Sequence, residues 1–160
     1  MNDGGLIGIF LQNLPVLVVV IPLLLAPILA IITAPRMAWV VSVAGVGSAC
    51  LAAILLQSIT ESIGRVTYHL GNWQPPWGIE FVVDSATSLT LVTMTGLAFL
   101  ATLYARASLL GEIKHADLGK CYAAWLLASG GLFGLVATGD AFNLFVFLEI
   151  SALSSAILIS

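Results

Sequence analysis

The stretch TGDAFNLFVFLEISALSS, residues 138–155, decides how this chain is read. It is apolar almost throughout, yet it carries the carboxylate of Glu149. Such a run suits lipid and a carboxylate does not, so one structure has to reconcile the two. The rest of the chain supports the lipid side. Of its 160 residues, 60% are hydrophobic and 8% charged, whereas a soluble domain carries about 25% charged residues. The charges fall mostly between long apolar runs, and about 18 or more consecutive apolar residues are needed to span the hydrocarbon core. The composition predicts an all-α polytopic membrane protein.

Five transmembrane helices are predicted in a single membrane domain over residues 1–160, at about 14–33, 38–57, 85–105, 121–138 and 141–160. Pro15, Pro22 and Pro27 fall in the first span, where kinks are expected and tolerated if neighbours satisfy the freed carbonyls. Ser42, Gly45, Gly47, Ser48 and Ala49 give the second a small-residue surface for close packing. The third is threonine-rich (Thr87, Thr90, Thr93, Thr95, Thr102), and these hydroxyls can bond back to the preceding turn. Met1-Asn-Asp-Gly-Gly lacks the positive region of a signal peptide, so the first run is expected to be retained. In the long connection 58–84, Val66, Tyr68 and Leu70 alternate with Thr67 and His69, and beyond a Gly/Asn/Pro cluster Trp77, Ile79, Phe81 and Val83 alternate with Gly78, Glu80 and Val82. This period of two predicts a β-hairpin, with Trp73 and Trp77 suited to the membrane–water interface.

Four of the five basic residues, Arg36, Arg106, Lys114 and Lys120, lie in or beside two connections on the same side; the other side has Arg65. The positive-inside rule then puts the N-terminus outside, the C-terminus in the cytoplasm and the hairpin loop outside. Gly139-Asp140 alone separates the fourth and fifth spans, which predicts an antiparallel pair with Asp140 as N-cap. Rising 1.5 Å per residue from that cap, Glu149 reaches roughly 12–14 Å into a ~30 Å core, close to the midplane. A charge there costs at least ~2.5–3.5 kcal/mol. Glu149 must therefore face protein or water, accept a partner, or stay protonated. Phe145, Val146, Ala152 and Leu153 flank it at helical spacing and suggest an inward face. Ser151, Ser154 and Ser155 could line a water path or bond their own helix. The bland alternative for Glu149 is a permanently protonated side chain bonding a neighbouring helix.

The net charge of −3 is diffuse and no basic patch is visible, which argues against nucleic-acid binding. Cys50 and Cys121 lie in apolar runs without metal-ligand spacing and read as small buried hydrophobes. His69 reads as a solvated strand position. His115, in a mixed-charge linker, could relay protons only with partners that the sequence does not supply. No nucleotide, flavin, haem or iron–sulfur motif is present, so no cofactor is expected.

Residues 138–155 resemble the fifth-helix motif of the proton-translocating antiporter family, which includes Mrp-type Na⁺/H⁺ antiporter subunits and the antiporter-like subunits of complex I and membrane-bound hydrogenases. The run LGNWQPPWGIEFVVD, residues 70–84, is similar to the stretch before the third helix of the D-type subunit of Mrp antiporters. The resemblance spans essentially the whole chain but only the N-terminal third of a family member. It implies a plasma-membrane subunit in which Glu149 is the fifth-helix glutamate, paired with a lysine on a later helix and active in proton transfer. That lysine has no counterpart here, and Ala156 stands where a tyrosine is often expected. The chain is thus expected to be a split or shortened subunit, with other membrane subunits supplying the missing helices and lysine. The leading expectation is part of a multisubunit monovalent cation/proton antiporter. The alternatives are a membrane-arm subunit of a redox-driven pump, or a truncated structural subunit.

Overall fold

In the computed structural model, which describes residues 11–73, 78–115 and 117–159, the apolar runs form five helices. They are α1 (Leu14–Ile31), α2 (Pro35–Ile63), α3 (Ser85–Glu112), α4 (Leu118–Ala137) and α5 (Ala141–Ile159). Each is long and apolar enough to cross a membrane, as expected of a multi-pass membrane protein. Between α2 and α3, strands β1 (Arg65–His69) and β2 (Glu80–Asp84) form the expected antiparallel hairpin, pairing Val66 with Val83 and Tyr68 with Phe81. Trp77 lies outside the described residues. Trp73 is 66% exposed, the open position an interfacial indole requires.

Local chemistry sets the helix ends. Pro35 opens α2, where a missing N–H costs no helical bond. α2 runs past its most apolar stretch because its last turn stays hydrogen-bonded, down to the Gly64 N–H donating to the Thr60 carbonyl at 2.8 Å. Gly64 then leaves the helix at φ 90°, a conformation that L side chains rarely adopt. α1 continues unbroken through Pro22 and Pro27. Asp84 caps α3, its carboxylate accepting the Thr87 amide at 2.8 Å. The hydroxyls of Thr90, Thr93, Thr95 and Thr102 each donate to the carbonyl four residues back, so α3 keeps its threonines without exposing unpaired polar groups.

α4 is the hub and packs against all four other helices. Its membrane stretch is 61% buried, against 22% for both α3 and α5. Glycines permit this crowding. A Cβ at Gly131 would sit 2.9 Å from the backbone nitrogen of Ser151, and one at Gly134 would sit 2.6 Å from the Phe147 ring. The small residues of α2 act likewise, with Gly45 against Leu25 and Gly47 against Phe99. One apolar core joins α1, α2 and α4 to Phe81, Val83 and Phe147, so the hairpin is packed into the bundle end. Tyr68 Oη donates to Asn13 Oδ1 at 2.6 Å and ties the hairpin to the start of α1.

Two outcomes follow from this packing. Gly131→Val should lower stability by about 1–3 kcal/mol, because the obstructing atom is backbone and cannot rotate away; thermal melts in detergent measure it. Hydrogen bonds from the Thr87 amide and hydroxyl hold the Asp84 carboxyl below its ordinary value of 3.8. The ionised cap therefore stabilises the fold above that value, and the contribution is lost as pH falls through the lowered folded value. Asp84→Ala should melt earlier at pH 7, and the gap to the parent protein should close below about pH 4.

Candidate functional site

The site is built from the α4–α5 turn downward. Thr138 forms a bridge with Phe81 of β2, and the Gly139 amide donates to the Glu80 carbonyl at 2.8 Å. Asp140 caps α5 as expected, accepting the Phe142 amide at 3.2 Å and the Asn143 amide at 3.3 Å. The buried Asn143 side chain returns a bond to Thr138 Oγ1 at 3.2 Å. The turn is thus held by the hairpin on one side and by its own helix on the other. This end of α5 is fixed in height and in rotation.

That rotation overturns one expectation. Asn143, Phe147, Ser151 and Ser154 form the buried stripe of α5. Glu149 lies about 150° round the helix from that stripe, on the face that points away from the other four helices. It is exposed, together with Phe142, Phe145, Ala152 and Leu153. Of the flanking residues read as an inward face, Phe145, Ala152 and Leu153 are outward-facing and Val146 is part-buried, because the glycines of α4 accept Phe147 and Ser151 instead. Among the described residues Glu149 has no hydrogen-bond or ion-pair partner. Ser151 and Ser154 donate to the carbonyls of Leu148 and Ile150 at 3.1 and 2.6 Å, so both bond their own helix.

The fold also assembles groups that the sequence keeps apart. Arg36, Arg106 and His115 line one recess of about 420 Å³ with Trp39 and Tyr122 at the end opposite the hairpin. No basic patch was legible because these residues are separated by a whole pair of helices. At the other end, His69 is half-buried, not solvated, with Nε2 3.5 Å from Glu80 Oε1 across the hairpin. His115 is exposed, and among the described residues no carboxylate or second imidazole lines its recess. Among the described residues no group of three His, Cys, Asp or Glu side chains could hold a metal ion.

No protein-family model matches the chain. Individual relatives do. NADH-quinone oxidoreductase subunit N of Desulforudis audaxviator is 39% identical over 92% of this chain. The D-type subunit of the Na(+)/H(+) antiporter of Bacillus subtilis is 32% identical over 93% of it. The solved Mrp complex of Dietzia sp. DQ12-45-1b holds a chain that superposes with a TM-score of 0.79 and 28% identity, over 91% of this chain and 26% of that one. Over nearly its whole length the chain is similar to antiporter subunits of the D type and to the related subunit N of NADH-quinone oxidoreductase. It spans 30% of the length of either curated relative and corresponds to their N-terminal portion. Glu149 lies on the uncovered side of α5.

The cap can be tested separately from any transport. Asp140→Ala should cost about 1 kcal/mol locally and speed amide exchange at Phe142 and Asn143 roughly fivefold. Hydrogen-exchange mass spectrometry in detergent reads this directly.

Proposed function

We propose that this chain is the N-terminal part of a D-type subunit of a multisubunit monovalent cation/proton antiporter, with Glu149 as its intramembrane proton-transfer carboxylate. The observation that carries this reading is the outward-facing Glu149 on α5, nine residues beyond the Asp140 cap. An ionised carboxylate on a lipid-facing surface is costly. Its face of α5 therefore needs a cover of protein or water, and further membrane helices bearing a cation would provide one. In the family's pattern that cation is a lysine from a later helix. A carboxylate beside such a lysine can take a proton, hold it while the pair separates, and release it when the pair re-forms. The recess end, with Arg36, Arg106, Lys114 and Lys120, faces the cytoplasm of a plasma membrane on this reading, and the hairpin faces outside.

A second reading has a specific observation in its favour, since the 39% identical relative is a subunit of NADH-quinone oxidoreductase. There the same carboxylate would serve a pump driven by electron transfer in other subunits. Everted vesicles carrying the complete complex separate the two. An antiporter produces proton movement when Na⁺ or K⁺ is added without an electron donor, whereas a redox-driven pump requires the donor. In either case Glu149→Gln should cut coupled proton movement by at least ~100-fold while the complex still assembles. Normal coupled flux in the assembled variant would reduce Glu149 to structural glue between helices.

A further inference from the structure

We propose that the recess lined by Arg36 and Arg106 is a binding site for a phosphate group, filled by the headgroup of an anionic phospholipid. It lies where the α1–α2 connection meets the end of α3 and the start of α4. Those helix ends place it at headgroup level in any membrane that the five helices span. Its volume of about 420 Å³ falls within the roughly 300–1,000 Å³ of small-ligand pockets. Arg36 and Arg106 supply two guanidiniums, and His115 supplies an imidazole N–H.

The two arginines are available. Among the described residues neither forms an ion pair with a carboxylate. Among the described residues no acidic side chain lines the recess; Asp117, at the start of α4, is engaged by Lys120 at 2.9 Å, and Glu112 lines a separate hollow with Leu109 and Cys121. Arg106 is pre-set. Its guanidinium lies 4.7 Å from the centre of the Trp39 ring, a stacking that leaves the edge N–H groups free to donate. Trp39 is itself fixed, its indole Nε1 donating to the Thr102 carbonyl at 3.1 Å. Thr102 also accepts Trp125 Nε1 on its hydroxyl at 2.9 Å, so α2, α3 and α4 all brace this wall. A planar fork held beside a second arginine suits a phosphate oxyanion better than a diffuse positive surface does. Met37 and Val40 follow Arg36 on α2 as exposed apolar side chains, and they offer acyl chains a surface next to the headgroup. A basic pocket between helices at the headgroup level is the arrangement that retains anionic lipid.

Lipid retention at the recess can be measured without transport. The full chain, purified in detergent, is incubated with phosphatidylglycerol, phosphatidylcholine or inorganic phosphate, and adducts are counted by native mass spectrometry. Phosphatidylglycerol should be retained over phosphatidylcholine, whose phosphate is neutralised by choline. Arg36→Gln and Arg106→Gln should each weaken retention roughly fivefold. Arg65→Gln, at the opposite end, should leave it unchanged. Arg106→Lys keeps the charge without the fork and should fall between, and circular-dichroism melts establish that each variant is folded. Equal retention of the two lipids, or folded glutamine variants that keep phosphatidylglycerol, would overturn the site. Displacement of phosphatidylglycerol by millimolar inorganic phosphate would support the phosphate chemistry and overturn the lipid as its source.

Discussion

Gly131 and Gly134 bring α4 so close to α5 that a side chain at either position would meet the Ser151 backbone or the Phe147 ring. Several features rest on that approach. It makes a three-residue connection, Thr138 to Asp140, possible, because helices this near need little chain to connect them. It seats Phe147 against Phe81, with ring centroids 6.3 Å apart, and so joins the hairpin to the bundle. It also selects which side of α5 is buried, and hence which way Glu149 points. A wider crossing would free α5 to rotate, and neither the Thr138 bridge nor the Asp140 cap could then fix the height of Glu149.

Polar groups in this chain are placed by one rule, that every donor inside the hydrocarbon must find an acceptor close by. Most hydroxyls obey it within their own helix, as Ser42, Thr95 and Ser154 do. A few are spent between helices. Thr60 and Ser88 share a 2.8 Å bond that joins α2 to α3 in the core. Thr102 serves two indoles from two different helices, through its carbonyl and its hydroxyl. These cross-links are what allow a glycine-rich bundle to keep its geometry. Small residues give proximity without direction, and the hydrogen bonds supply the direction.

Much of this was legible in the sequence, for reasons that differ by element. The five helices follow from apolar length, which the membrane enforces directly. The hairpin follows from the period of two around Val66–Leu70 and Ile79–Val83, since alternate residues must face the core. Asp140 was readable as a cap because capping depends on neighbours three residues away. The direction of Glu149 was not readable. On its own helix the residue looks the same inward or outward, and the decision lies in glycines 15 and 18 positions earlier on α4. The Arg36–Arg106 recess was hidden for the same reason: seventy residues separate the two arginines, and only the packing of α1–α4 brings them together. Local signals survive in sequence, while rotation and tertiary assembly do not.

The outward Glu149 bears on how such a chain would work in an assembly. Had the carboxylate faced the centre of the five helices, groups of this bundle would have satisfied it and no neighbour could have altered it. On the uncovered face it is left to whatever packs against α5. On the proposed reading, covering helices that carry a cation would pair with it and be held more tightly in turn, because the two equilibria are linked. Proton binding and the placement of the covering helix then become one coupled process. In the proposed assembly the same side chain would serve as contact and as proton carrier, its place set by the close α4–α5 crossing and the Asp140 cap.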